Sequence, residues 1–169
     1  SARGDRPRAG DCLAEIIGQY RRPLYLFGAG HVGQAIARHA ANLPFRLSWF
    51  DTRPVFETID GVAVVPEAAI EQCVADASDD AAILILTHDH GLDYRLTHAA
   101  LSRPPCAYVG LIGSATKGAR FHARLASDGI DAQARARLTS PIGVPGVMGK
   151  EPDVIAIAVL AQLLQLRAG

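Results

Sequence analysis

Short apolar runs alternate along this chain with longer segments in which apolar residues recur every three or four positions. A short apolar run bounded by glycine, proline or aspartate is typical of a buried strand, whereas the longer spacing is typical of an amphipathic helix. The runs predict strands at Pro23–Phe27, Phe45–Phe50, Gly61–Val65, Ala81–Leu86 and Ala107–Ile112.

The periodic segments between these runs predict the helices. Pro66 and Pro152 stand where helices begin, a position that proline favours. A stretch rich in proline and glycine, Ser140–Gly149, predicts an irregular loop. Helices are expected at Asp11–Tyr20, His31–Ala41, Ala68–Ala75, Asp93–Leu101, Thr116–Ala126, Ala132–Leu138 and Asp153–Leu166.

Strands that alternate with helices predict an α/β fold, a Rossmann-like parallel sheet flanked by helices on both faces. The first and fourth strands of such a sheet lie side by side, at the point where the strand order reverses. Ligands bind there, beyond the carboxyl ends of the strands. We therefore expect the segments that follow strands one, four and five to meet at one site.

Composition narrows the class of protein. The 169 residues fit one domain, with residues 1–20 as a partly flexible extension and 21–169 as the Rossmann-like domain. Lysine plus arginine and aspartate plus glutamate balance at 17 each, so no charged field favours nucleic acid or an anionic membrane. No apolar run has the length of a membrane span. The cysteines Cys12, Cys73 and Cys106 form no closely spaced pair, which suits a reducing cytoplasm.

A glycine-rich segment, Gly28–Gly33, directly follows the first strand and opens the first helix. Its G-x-G-x-x-G spacing is that of a Rossmann phosphate loop, in which backbone N–H groups and the helix dipole attract an anion. The alternative is that the glycines only allow a tight turn. The candidate binding residues of this loop are Gly28, Ala29, Gly30, His31, Val32 and Gly33.

Asp51 ends the second strand, 18 residues after Gly33. That spacing is close to the one at which an acidic residue binds a ribose hydroxyl in dinucleotide-binding proteins. The alternative is that Asp51 caps the turn Asp51–Pro54, where proline disfavours helix.

The fourth strand ends in Thr87–Asp93, which holds two imidazoles and two carboxylates. A His-x-His pair could ligate a metal with Asp93 or His31, but the spacing does not match the helix pattern of zinc proteases. The polar residues could instead cap turns. Of these alternatives we favour contact with the ligand, with no metal, by Thr87, His88, His90 and Asp93.

The fifth strand runs into Gly113–Lys117, which predicts a second anion site. Ser114 is a candidate helix cap, and Lys117 in the first helical turn opposes the helix dipole unless an anion binds there. Ser114 and Lys117 also have the Ser-x-x-Lys spacing of penicillin-recognising enzymes. The companion motifs of those enzymes are absent, so we reject that interpretation. We find no arrangement of a catalytic nucleophile. The candidate residues of this site are Gly113, Ser114 and Lys117.

These motifs, taken together, resemble the XdhC/CoxI family of accessory factors for xanthine dehydrogenase and related molybdenum hydroxylases. The resemblance extends over almost all of Leu24–Leu166. It is carried by Phe27–Gly33, Thr87–Asp93, Tyr108–Lys117, Ser140–Gly146 and the helix after Pro152.

The resemblance implies a chaperone without turnover of its own. It would bind the molybdenum cofactor (molybdopterin), support its sulfuration by a cysteine desulfurase, and deliver it to the hydroxylase apoenzyme, with a homodimer as one possible assembly. An NAD(P)-binding oxidoreductase and a nucleotide-sensing regulatory domain are the competing interpretations.

The chain departs from the family pattern in two places. Family members usually carry an N-terminal module, and the segment before Leu24 is too short to form it. The chain could therefore be a short member of the family or a part of a longer protein. The family often has Cys-Pro-Ile-Gly where this chain has Ser140–Gly143, so a thiolate at that position is missing.

Overall fold

A computed structural model describes residues 20–167, so all but the last residue of the helix predicted at Asp11–Tyr20 lies outside the described residues. Within that range all strands are parallel and form one sheet. The strands are β1 (Arg22–Phe27), β2 (Phe45–Asp51), β3 (Val62–Val64), β4 (Ala82–Ile85), β5 (Tyr108–Leu111) and β6 (Leu138–Thr139). Their order across the sheet is β3-β2-β1-β4-β5-β6. The predicted fold class is confirmed.

Helices cover both faces of the sheet. They are α1 (His31–Ala40), α2 (Ile70–Ala75), α3 (His90–Ser102), α4 (Ala115–Ser127), α5 (Ala132–Arg135) and α6 (Pro152–Leu164). Buried residues of α1 and α6 form one apolar cluster, and those of α2, α3 and α4 form the other. No helix within residues 20–167 is long and apolar enough to cross a bilayer.

The central strands supply both clusters because successive side chains of a strand point to opposite faces. On β4, Ile83 and Ile85 belong to the cluster under α3, whereas Ala82 and Leu84 belong to the cluster under α1 and α6. All four residues are fully buried. A strand covered on both faces therefore appears in the sequence as an uninterrupted apolar run.

The structure departs from the sequence prediction after α4. The helix predicted to extend to Leu138 ends at Arg135, since Leu138 pairs with Val109 of β5 and begins the edge strand β6. The turn predicted after Asp51 leads into a short 3-10 helix at Pro54–Thr58 that the sequence did not predict, where proline occupies a favoured first position.

The strand register determines where the site forms. Phe27, the last residue of β1, pairs with Phe50 of β2 on one side and with Ile85 of β4 on the other. The prediction that the first and fourth strands are neighbours is confirmed. The segments that leave β1, β2 and β4 therefore begin at one end of the sheet.

Candidate functional site

A cavity of about 310 Å³ opens at the carboxyl end of the sheet, between the segments that follow β1 and β4. A larger cavity, of about 690 Å³, is lined by Arg22, Asp80 and Cys106 among others, at the opposite end of the strands. Only the smaller one lies where parallel sheets of this topology bind ligands. It is lined by Gly30, His31, Val32, Gly33, Arg53, Leu86, Thr87, His88 and Ile112.

The three glycines of the Gly28–Gly33 segment have different local roles. Gly28 has a φ of +128°, and a Cβ built there would lie 2.2 Å from the Leu86 carbonyl oxygen. A Cβ at Gly33 would lie 2.1 Å from the Gly28 oxygen, so α1 could not pack as closely. Nothing lies within 4 Å of a Cβ built at Gly30, which faces the cavity. Gly28 and Gly33 are thus needed by the fold, and Gly30 leaves space beside the backbone.

The start of α1 offers backbone donors to this cavity. Gly30 caps the helix without a side-chain hydrogen bond, and no acidic residue lies in the first turn. The first N–H groups of a helix have no partner within the helix, and the dipole makes this end positive. Such an end attracts an anion, as the sequence analysis predicted for this loop; binding itself stays a prediction.

Asp51 is buried, and its carboxylate binds the chain itself. Oδ2 accepts a hydrogen bond from the Ala29 N–H at 2.8 Å, and Oδ1 accepts one from the Arg53 N–H at 2.9 Å. The Arg53 guanidinium donates to both oxygens, each at 3.0 Å. Burial raises the pKa of Asp51, but the hydrogen bonds from Arg53 and Ala29 outweigh it and the pKa is lowered. In this structure Asp51 connects the glycine loop to the β2 turn.

Arg53 is a cavity residue that the sequence analysis did not include. Its guanidinium lies 4.3 Å from the centre of the Phe56 ring, in addition to the contacts with Asp51. The signal available in the sequence was the position of Arg53 two residues after Asp51, at the end of a strand and before a proline. That position alone does not tell which way the side chain points.

The structure separates the predicted histidines. His31 and His88 line the cavity, whereas His90 does not and is exposed as the first residue of α3. This helix was predicted to begin at Asp93, which is wrong because the Asp89 carboxylate caps it by accepting from the Leu92 N–H at 2.9 Å. Within residues 20–167 no three His, Cys, Asp or Glu side chains are arranged to hold a metal ion.

Asp93 and Lys117 form a buried ion pair beside the cavity. Asp93 is fully buried and Lys117 is 8% exposed. The Lys117 Nζ lies 2.7 Å from Asp93 Oδ2 and also donates to the Ile112 carbonyl oxygen at 3.1 Å. The other oxygen of Asp93 accepts from the N–H and the hydroxyl of Thr87, at 2.8 and 2.7 Å. The pair thus connects the segment after β4 to the segment after β5.

The sequence pattern suggested a bound anion as the partner of Lys117, whereas in the structure its partner is Asp93. Ser114 does cap α4, as expected, by accepting from the Lys117 N–H at 3.2 Å. Gly113 has a φ of +143°, and a Cβ there would lie 2.6 Å from Cδ of Lys117. The Gly113 position therefore allows the lysine to fold back towards Asp93. Whether Gly113, Ser114 or Lys117 contacts a ligand stays a prediction.

Ser140 lies directly after β6, close to α4. Its hydroxyl oxygen is buried and has no hydrogen-bond partner among the described residues. A Cβ built at Gly118 would lie 2.9 Å from this oxygen. The resemblance places a cysteine at this position in the family, and the structure leaves the serine hydroxyl without a polar contact there.

The comparison with known families decides the identity of this domain. The family of the XdhC Rossmann domain matches residues 24–163, which include all six strands except the first two residues of β1. The chain belongs to the XdhC family. The match includes the glycine loop, the β2 turn, the Asp93–Lys117 pair and most of α6.

This XdhC domain is similar to a curated protein and to a solved structure. The chain is similar to a protein of Escherichia coli strain K12 called uncharacterized protein YqeB. The two are 32% identical over 157 residues, and the match covers 87% of this chain. It is also similar to a solved structure described as a xanthine dehydrogenase from Bacillus halodurans, with a TM-score of 0.71, 26% identity and 86% of this chain covered. The chain spans 28% of the first relative's length and 44% of the solved chain.

Proposed function

We propose that this XdhC domain binds the molybdenum cofactor through its phosphate and serves as an accessory factor of a molybdenum hydroxylase of the xanthine dehydrogenase type. In this role it holds the cofactor while a cysteine desulfurase sulfurates it, and then delivers it to the apoenzyme. The observation that carries the proposal is the space beside Gly30, at the N-terminus of α1 and inside the cavity of an XdhC family domain.

The residues present fit an anionic ligand. Gly30 leaves room for a phosphate to approach the backbone, and the first N–H groups of α1 supply hydrogen-bond donors. His31, His88 and Thr87 add polar groups to the lining, and Leu86 and Ile112 add apolar surface. When bound, the cofactor would supply the molybdenum chemistry that the hydroxylase uses. This chain's residues would bind its phosphate and limit its contact with water.

The Asp51 contacts count against an NAD-dependent dehydrogenase. An NAD-binding domain of this fold uses the acidic residue after β2 to accept hydrogen bonds from the ribose. Here Arg53 and Ala29 already occupy both carboxylate oxygens. No observation in the structure favours the nucleotide-sensing regulatory domain over the accessory factor.

The test is the small-molecule content of the purified protein, after expression in a host that makes the molybdenum cofactor. We expect molybdenum by elemental analysis and pterin by fluorescence after oxidation, both strongly reduced in Gly30→Val. The matched control is Ala41→Val, which adds the same side chain at an exposed position at the other end of α1.

A second measurement tests delivery. Wild type loaded with cofactor is mixed with an apo-hydroxylase of the xanthine dehydrogenase type, and the appearance of hydroxylase activity is followed. We expect activation by wild type and by Ala41→Val, and much less by Gly30→Val. Nicotinamide in place of pterin in the purified protein, with turnover of an alcohol or aldehyde, would reject the accessory role.

A further inference from the structure

A groove runs beside α1, over the part of the sheet that β2 and β3 form. Parallel strands are usually joined by a crossover helix, and right-handed crossovers from β1 to β2 and from β2 to β3 lie on the same face of the sheet. Here the second crossover contains only the 3-10 helix Pro54–Thr58, whose Phe56 packs against the apolar cluster under α1. Beside this short crossover a cavity of about 360 Å³ remains open, which we call the α1 groove.

The α1 groove is separate from the cavity at the carboxyl ends of the strands. No residue that lines one of the two cavities lines the other. Two residues of the groove, Asp60 and Gly61, directly precede β3, so the groove lies beside the beginning of that strand. We propose that the α1 groove binds a planar 2-amino-4-oxopyrimidine ring, the ring that guanine and pterins share. This second site goes beyond the proposed function, because it does not include the glycine loop.

The floor of the α1 groove is apolar and partly aromatic. Its apolar side chains are Ala37, Leu47, Trp49 and Ile59. Gly61 keeps the floor open, since a Cβ built there would lie 3.8 Å from Cε3 of Trp49 with no other atom within 4 Å. The Trp49 N–H donates to the Gly28 carbonyl oxygen at 2.9 Å, which holds the indole in place. Only 6% of Trp49 is exposed, so a flat ligand would touch one edge of the indole and the aliphatic side chains around it.

Three polar side chains line the same groove and supply both donors and acceptors. Gln34 Nε2 donates to the Ala29 carbonyl oxygen at 2.8 Å, which leaves the amide oxygen Oε1 as an acceptor. Arg38 donates through Nη2 to Asp153 at 2.7 Å, and its other N–H groups make no hydrogen bond to any of residues 20–167. The Asp60 carboxylate forms no ion pair within the same range.

These groups match one edge of a 2-amino-4-oxopyrimidine. That edge carries a carbonyl oxygen, a ring N–H and an exocyclic amino group side by side. A carboxylate can accept from two neighbouring N–H groups at once, as it does from an arginine fork. Asp60 can therefore accept from the ring N–H and the amino group, while Arg38 can donate to the carbonyl oxygen. Adenine has an amino group beside an acceptor nitrogen and does not offer this pattern.

The experiment compares guanosine with inosine, which lacks only the exocyclic amino group. Binding to the full chain is measured by isothermal titration calorimetry. We expect wild type to bind guanosine about 10-fold more tightly, at the low end for a charge-assisted hydrogen bond because Asp60 is exposed. In Asp60→Asn we expect the preference to disappear. The matched control is Glu57→Gln, which removes an exposed carboxylate outside the groove and should keep the preference.

A second pair of variants tests the place of binding. Ala37→Leu adds a larger side chain to the floor of the groove, and we expect it to weaken guanosine binding by about 10-fold or more. Ala41→Leu makes the same change at an exposed position at the end of α1 and should bind as wild type does. Thermal melting without ligand shows whether each variant folds. If Ala37→Leu does not fold, the comparison of guanosine with inosine in Asp60→Asn decides alone.

Pterin, which carries no sugar, distinguishes the two sources of the ring. Tighter binding of pterin than of guanosine identifies a pterin site, and the reverse order identifies a site for a guanine nucleoside. Either order supports the proposed ring chemistry.

The outcomes separate the α1 groove from the proposed function. Equal affinity of wild type for guanosine and inosine, or no binding of guanosine and pterin at millimolar concentration, would overturn the groove site and leave the glycine loop untouched. Unchanged guanosine binding in a folded Ala37→Leu would do the same. We expect Gly30→Val to bind guanosine as wild type does, because the probe has no phosphate and Gly30 does not line the groove. Loss of guanosine binding in Gly30→Val would place the probe at the glycine loop and also overturn the groove site.

Discussion

Lys117 Nζ lies 2.7 Å from Asp93 Oδ2, and this contact joins two segments that leave neighbouring strands of the sheet. Asp93 also accepts two hydrogen bonds from Thr87, a cavity residue, while Lys117 donates to the carbonyl oxygen of Ile112, another cavity residue. Both walls of the cavity are thus connected to one buried ion pair. Removal of either partner leaves a charge buried without its counter-charge.

We predict that Lys117→Gln lowers the free energy of unfolding by about 3 kcal/mol, because breaking a buried pair by removing one partner is strongly destabilising. Chemical denaturation of the free protein measures the change. The helix dipole alone would lead to the opposite expectation, an equal or slightly higher stability of Lys117→Gln, because a lysine in the first helical turn opposes the dipole.

The control for this prediction is a double-mutant cycle with Asp93→Asn. In Asp93→Asn the lysine has already lost its counter-charge, so Lys117→Gln in that background should cost much less than in wild type. Equal costs in both backgrounds would mean that the pair contributes no coupling energy. The Lys117 contacts would then be structural details without energetic weight.

The glycines of the loop should differ sharply in their tolerance to alanine. Gly33→Ala forces a Cβ against the Gly28 oxygen, where 2.1 Å is available, and should cost about 1–3 kcal/mol or more of unfolding free energy. Gly30 has a φ of −71° and open space, so Gly30→Ala should change the unfolding free energy by no more than about 1 kcal/mol. Thermal melting of the two variants side by side checks this, and similar losses would contradict the assigned roles.

The sequence was sufficient for most of the fold because the central strands are covered on both faces. Ala81–Leu86 is apolar throughout, and a run of this length is typical of a parallel strand that is covered on both faces. The edge strand Leu138–Thr139 has two residues and therefore no periodicity, so it was missed. Its pairing with β5 depends on the tertiary fold.

The candidate site was predictable in position but not in its internal contacts. The carboxyl ends of β1 and β4 meet because of the strand order, which the alternation of elements implies. The partners of Asp51 and Lys117 could not be predicted in the same way. Arg53 lies two residues from Asp51, but its side chain could point to either side of the turn. Asp93 and Lys117 are 24 residues apart and meet only after α3 and α4 pack on the sheet.

The two strand-end histidines should contribute unequally to ligand binding. His88 lines the cavity and His90 does not, although the sequence assigned the same role to both. We predict that His88→Ala lowers the pterin and molybdenum content of the purified protein, and that His90→Ala changes it little. A stoichiometric zinc or iron that is lost in His88→Ala would contradict this, since it would make the histidine a metal ligand.

The last prediction concerns acid stability and Asp51. The pKa of Asp51 in the folded chain lies below its ordinary value of 3.8, because the hydrogen bonds from Arg53 and Ala29 outweigh the effect of burial. The unfolded chain therefore binds more protons at this residue, and its contribution to stability is present above the ordinary pKa and lost as the pH falls through the folded value. We expect the unfolding free energy to fall on acidification below about pH 4 in wild type, and to fall less steeply in Asp51→Asn. Asp60→Asn, at an exposed position after the same strand, is the control and should keep the wild-type slope. Urea denaturation at a series of pH values gives these slopes, and the same slope in Asp51→Asn as in wild type would show that Asp51 does not determine the acid sensitivity of this domain.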